Sequence, residues 1–138
     1  MLSINFIAVL VAALAAFVVG FLFHGPLFGK LWMKLAHIHP TGNEKFSDMV
    51  PQMLWNILAN MFTAVALAVV YLYAIDSAYI AEGALGGICV GLTVWFGFTV
   101  TATSMDVIWM GRSPKLWLFE VVSSGVVFAV MGAIIASM

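Results

Sequence analysis

Charge is what this chain has least of. Asp, Glu, Lys and Arg make up 8% of its 138 residues, against about 25% in soluble domains, which excludes an ordinary soluble fold. It has one cysteine, Cys89, lying among glycines in an apolar run, so an internal disulfide is excluded and a packing role is expected. No Gly-rich phosphate loop, no Ser-His-Asp arrangement and no basic patch suited to nucleic acid occurs. No enzyme, cofactor or nucleic-acid partner is therefore expected. His37 and His39 form a His-x-His pair, but two residues without accompanying cysteines or carboxylates do not make a metal site. The opening Met-Leu-Ser-Ile-Asn lacks a basic leader region, and the first apolar run is too long for a signal core. It is read as a permanent helix.

What is present is apolar sequence: 64% of residues are hydrophobic and the mean hydropathy is +1.14. It gathers in four runs, residues 4–23, 51–74, 84–105 and 116–137. Each has about 20 residues, enough at 1.5 Å per residue to cross a hydrocarbon core of roughly 30 Å. The expected fold class is an all-α membrane protein, one domain over residues 1–138. Its four transmembrane helices fall at about residues 4–24, 50–74, 84–110 and 114–137.

The net charge of −1 conceals an asymmetry. All five basic residues lie in the first and third connections, as Lys30, Lys34, Lys45, Arg112 and Lys115. The middle connection carries only Asp76 and Glu82. Four crossings put the first and third connections on one side, and the positive-inside rule makes that side cytoplasmic. The expected location is a bacterial or archaeal cytoplasmic membrane, with both termini and the Asp76–Glu82 loop outside.

The first connection is the long one. Pro26 suits the first turn of a short helix over about residues 26–37. Leu27, Phe28, Leu31, Trp32 and Leu35 would form one face, opposite Lys30, Lys34 and His37. That pattern fits an amphipathic helix lying in the interface, with Lys30, Trp32 and Lys34 in contact with lipid. Residues 39–43, His-Pro-Thr-Gly-Asn, read as a turn. The third connection, Gly111-Arg112-Ser113-Pro114, is tight: Gly111 can end a helix, Ser113 can cap the next, and Pro114 suits its first position.

Small residues recur every fourth position: Ala8, Ala12, Ala16 and Gly20; Gly83, Gly87 and Gly91; Gly125, Ala129, Ala133 and Ser137. Such ladders let helices approach closely in lipid, and three of them point to a tight bundle and a homo-oligomer, with a dimer favoured. The few polar groups gather at the ends of the runs that share the basic connections. Gln52, Asn56, Asn60 and Thr63 fall on one face of the second helix; Thr99, Thr103 and Asp106 do so on the third. Glu120 accompanies Ser123 and Ser124 on the fourth, and His24 ends the first. Asp106 and Glu120 lie either side of the tight turn, each about 9 Å from it along a helix. Two readings stand. In one, these groups clamp helices together, with the acids paired to Arg112, Lys115 or His24. In the other, they line a cytoplasm-facing pocket for a cation, proton or small solute. The opposite halves, residues 64–73 and 126–135, are almost wholly apolar, which argues against a continuous pore within one subunit.

The stretch Gly20-Phe-Leu-Phe-His-Gly-Pro-Leu-Phe-Gly-Lys-Leu-Trp-Met33 resembles the signature of the family catalogued as domain of unknown function 1761. The opening residues 4–10, the Trp95-Phe-Gly-Phe98 segment and the turn at residues 111–116 are similar to its pattern as well. At Phe23-His24 the family more often has Trp-Tyr, so the resemblance does not support a titrating role for His24. It implies a small four-helix integral membrane protein and supplies no activity. The expectation is a non-enzymatic membrane protein whose polar pocket binds a lipid, small solute or partner helix. The alternative is a small proton- or cation-coupled transporter that works as an oligomer, with Asp106 or Glu120 carrying the coupling charge.

Overall fold

A computed structural model describes residues 3–77 and 79–138. Met1 and Leu2, which begin the stretch without a basic leader, lie outside the described residues. Helix α1 is Phe6–Leu22, α2 Gly29–Leu35, α3 Phe46–Asp76, α4 Ala84–Val94, α5 Thr101–Trp109 and α6 Pro114–Ser137. Wider π-helical turns, Phe23–Leu27 and Trp95–Val100, follow α1 and join α4 to α5. Four segments are long and apolar enough to cross a membrane: Phe6–Leu27, Phe46–Asp76, Ala84–Trp109 and Pro114–Ser137. The chain is a multi-pass helical membrane protein.

Helix α6 is central. It packs along α4 and against α1, while α1 packs in turn on α3. The closest approach is between α4 and α6, where a side chain on Gly87 would lie 2.0 Å from the Gly132 carbonyl oxygen, and one on Gly132 equally close to the Gly87 carbonyl. One turn on, a side chain on Gly91 would strike the Phe128 carbonyl at 2.3 Å. Backbone lies against backbone here, a contact only glycine permits. The ladder of α1 works alongside it: Ala8, Ala12 and Ala16 are fully buried, although Gly20 has open space beside it. The small residues are thus used largely within one chain.

The core lies to one side. Val9, Ala12, Ala64, Leu67, Tyr71, Val90 and Met131 pack together, all in the helix halves towards the Asp76–Glu82 loop (the acidic end). At that end Asn5 caps α1 by accepting from the Ile7 and Ala8 amides, and Tyr71 accepts from the Gly83 amide at 3.2 Å. Towards the opposite, basic end the bundle opens. No residue of α3 before Ala64 is buried, and Leu54, Trp55 and Phe62 are uncovered by protein.

Several local expectations change. The short helix of the first connection is the seven residues Gly29–Leu35, not residues 26–37. Pro26 lies before it, in the π-helical turn, where Gly25 leaves helical geometry at φ −116° and ψ −106°. Helix α3 begins at Phe46, four residues before the expected start, and carries Pro51 inside it. So near a helix start proline removes one hydrogen bond without ending the helix. Ser113 precedes α6 without a side-chain capping bond, whereas Pro114 occupies its first turn as expected. Gly111 ends α5 at φ +67°, a left-handed conformation that glycine adopts freely.

In the first connection, Glu44 closes the turn around Thr41 and Gly42. Its carboxylate accepts from the Thr41 amide at 2.6 Å, the Thr41 hydroxyl at 3.0 Å and the Gly42 amide at 3.0 Å. The Thr41 amide above all, then the other donors, holds the carboxyl below its ordinary range. The turn is therefore stabilised above that range and loses its support as the pH falls through the lowered value. An NMR titration should give Glu44 a midpoint below that of a free glutamate, with the Thr41 and Gly42 amide shifts following it. A free-glutamate midpoint would mean that the turn does not form. At the helix contact, Gly87→Val or Gly132→Val should lower stability by about 2–3 kcal/mol through overpacking. Gly97→Val, at a site with open space, should change it little. Thermal unfolding in detergent micelles measures both, and equal effects at Gly87 and Gly97 would refute the backbone contact.

Candidate functional site

The polar residues of the basic end fall into three groups, each with its own physics. The first joins α5 to α6. Gly111 lets the chain reverse, so that the Arg112 amide donates to the Asp106 carbonyl at 3.1 Å. The Arg112 guanidinium then lies between two carboxylates, pairing with Asp106 at 3.4 Å and with Glu120. One fork of donors thus serves acids on two helices. Deeper in, the Trp117 indole donates to the Thr103 hydroxyl at 3.0 Å, which donates to the Thr99 carbonyl at 2.7 Å. Further still, the Trp95 indole donates to the Ser124 hydroxyl at 3.0 Å and the Val121 carbonyl at 3.1 Å. The Trp95 ring fills the space beside Gly125, where a side chain would meet it at 3.0 Å. Three levels of hydrogen bonding therefore zip the third span to the fourth. Ser123, one residue from Ser124, is buried on α6.

The second group surrounds His24. Its Nδ1 donates to the Gly20 carbonyl at 2.9 Å. The ring stands edge-on to Trp32 (5.3 Å between centroids) and to Phe119 (5.5 Å). Phe28 packs near Phe23 (5.4 Å) and Phe119 (6.4 Å). The start of α2 is drawn in tightly, since a side chain on Gly29 would approach the His24 carbonyl at 2.9 Å. His24 thus ties the bend after α1 to α6 through aromatic contacts. Lys30 and Lys34 lie exposed on α2, while Trp32 is half-buried against His24.

The third group stays on α3. The Asn60 amide donates to the Asn56 side-chain oxygen at 2.8 Å. The Thr63 hydroxyl donates to the Ala59 carbonyl at 3.0 Å. With its amide oriented to satisfy its neighbours, the Gln52 nitrogen donates back to the Asp48 carbonyl at 2.7 Å. Among the described residues, no hydrogen bond links this face to Asp106, Glu120 or His24. The structure brings Thr103, Asp106, Glu120 and Ser124 into one hairpin, sets His24 beside it, and leaves Gln52, Asn56 and Asn60 on a helix that has splayed away.

A separate cleft of about 510 Å³ opens at the acidic end, lined by Ser3, Asn5, Tyr71 and Glu82 among apolar neighbours. Sequence patterning did not gather these residues, because only Tyr71 lies on a spanning helix, the others flank helix ends, and they meet through tertiary packing. Phe119 was equally silent, one phenylalanine among eleven.

Four segments long and apolar enough to cross a membrane, packed around a glycine contact, define a small helical membrane protein. The chain belongs to the DUF1761 family, described as a protein of unknown function, whose model matches residues 7–136. No curated protein and no solved structure matches it.

The Arg112 fork makes a prediction. Arg112→Gln leaves two neighbouring carboxylates without their cation and should lower stability by about 2 kcal/mol. Arg112→Lys should recover only part of it, since an ammonium cannot fork. Thermal unfolding of the purified protein reads both. No loss in Arg112→Gln would sink the clamp.

Proposed function

We propose that this protein works without catalysis, as a membrane-embedded docking protein whose α3 amide face receives a partner helix, a second copy of the chain in the simplest case. One observation carries the reading. Asn56 and Asn60 sit inside a spanning helix and, among the described residues, hydrogen-bond through their side chains only to one another, Asn56 exposed and Asn60 half-buried. A primary amide in hydrocarbon has spare donors and acceptors, and leaving them unmet is costly. Because an amide both donates and accepts, the face complements its own copy across a two-fold axis. The small-residue ladders, which first suggested a dimer, support it less, since they are largely consumed inside the bundle.

The reading includes an orientation. Every basic residue lies in the first or third connection, so the basic end is cytoplasmic and the termini face outward, in a bacterial or archaeal cytoplasmic membrane. Helix α2 then lies in the cytoplasmic interface with Lys30 and Lys34 towards headgroups and Trp32 as its anchor. A transporter in which Asp106 or Glu120 carries a coupling charge gains no support, because Arg112 already engages both acids.

Interhelical hydrogen bonds in lipid average about 0.6 kcal/mol each, and a two-fold pair of Asn56–Asn60 faces can form several. Replacing both residues, Asn56→Leu with Asn60→Leu, should therefore weaken self-association about ten-fold. Energy transfer between labelled copies in liposomes, over a range of protein-to-lipid ratios, measures this. A parent chain that stays monomeric at every ratio, or a double variant that associates as well as the parent, would refute the dimer.

A further inference from the structure

At the basic end, on a different surface from the α3 face, a shallow groove of about 340 Å³ runs between the α1–α2 bend and the start of α6. Phe23, Phe28, Leu31, Leu118 and Phe119 line it, and Lys115 stands on its rim. We propose that this groove is a binding site for an anionic glycerophospholipid, one acyl chain lying along the aromatic wall and the phosphate meeting the Lys115 ammonium.

Three features converge on that occupant. The wall is preformed: Phe28 and His24 both stand edge-on to Phe119, and Gly29 locks the bend that brings Phe28 across. A groove shaped in advance spares a ligand the ordering cost that a mobile surface imposes. Apart from Lys115 at the rim, the lining is apolar. A hydrocarbon chain can lie along such a wall without polar partners. The charge at the rim gives the headgroup. Arg112 is engaged by Asp106 and Glu120, but Lys115 is exposed and, among the described residues, forms no ion pair. Lys115 occupies the second position of α6, one residue past Pro114, so its charge lies at the end of the spanning segment, at headgroup depth. Its aliphatic stem can lie on the groove while the ammonium reaches the phosphate. The site therefore selects by charge at one end and by shape at the other. It holds whichever leaflet the basic end faces.

The test uses the full chain in phosphatidylcholine nanodiscs doped with a photoactivatable lipid carrying a diazirine in mid-chain. Phosphatidylglycerol and phosphatidylcholine headgroups are compared on the same chains. Adducts mapped by mass spectrometry should fall on residues 118–122 and on α2, with phosphatidylglycerol labelling about five-fold above phosphatidylcholine, the preference one lysine near a surface provides. Lys115→Gln should remove that preference without changing the thermal midpoint, while Lys45→Gln should leave it intact. Leu118→Trp, which fills the groove, should cut labelling by both lipids. Equal labelling by the two headgroups, a preference that survives Lys115→Gln, or adducts spread evenly over all lipid-facing helices would each overturn the proposal. So would a groove free of adducts because a second copy covers it, detected as disulfide cross-links between copies carrying Leu118→Cys.

Discussion

Lipid gives apolar helices no hydrophobic reason to associate, so the bundle depends on how closely their backbones can meet. In this chain that contact is Gly87 against Gly132, extended by Gly91 against the Phe128 carbonyl. It makes α4 and α6 the rigid pair on which the other helices are assembled. The alanine-lined flank of α1 packs onto α6, and the Ala64–Tyr71 part of α3 onto α1. All of this lies towards the acidic end, where the spanning helices themselves carry few polar side chains. Close packing and low polarity coincide because dispersion contacts there are the main source of cohesion.

At the basic end the bundle changes its bonding. The glycine contact stops, α4 widens into a π-helical turn at Trp95, and hydrogen bonds take over between the third and fourth spans. Each uses a donor whose partner is a helix away: Trp95 to Ser124, Trp117 to Thr103, Arg112 to Asp106 and Glu120. Among the described residues, helix α3 makes no such bond to these partners, and the Asn60 amide turns to Asn56 instead. One half of the protein is thus a compact plug of small residues. The other is a braced hairpin, an aromatic bend and a helix standing apart.

Much of this was legible along the chain. The four spans follow from run length and hydropathy, and the tight third turn from Gly111 and Pro114. The matching of Asp106 with Glu120 across that turn follows from counting residues. Periodicity also puts Gln52, Asn56 and Asn60 on one side of α3, at spacings of four. What it could not supply was the neighbour of that face. Equal depth in four helices suggested a meeting, but α3 diverges, and depth along one axis says nothing about separation in the other two. Gly132 shows the same limit from another side: it lies outside the every-fourth ladder of α6, yet it is the residue that meets Gly87.

The amino-acid sequence by itself determined the spanning segments, the separation of charge between the two ends and the face each polar residue occupies, because these depend on local composition and helical period. The polar groups set at one level were therefore foreseeable as a layer. Only the tertiary structure decided which of them touch. That choice rests on backbone geometry: a glycine contact that draws α4 onto α6, a bend at Gly25 that folds Phe28 and Trp32 around His24 and Phe119, and the departure of α3 from the bundle below Ala64. Each of these depends on atoms far apart in the chain, whose distances no period along one helix encodes.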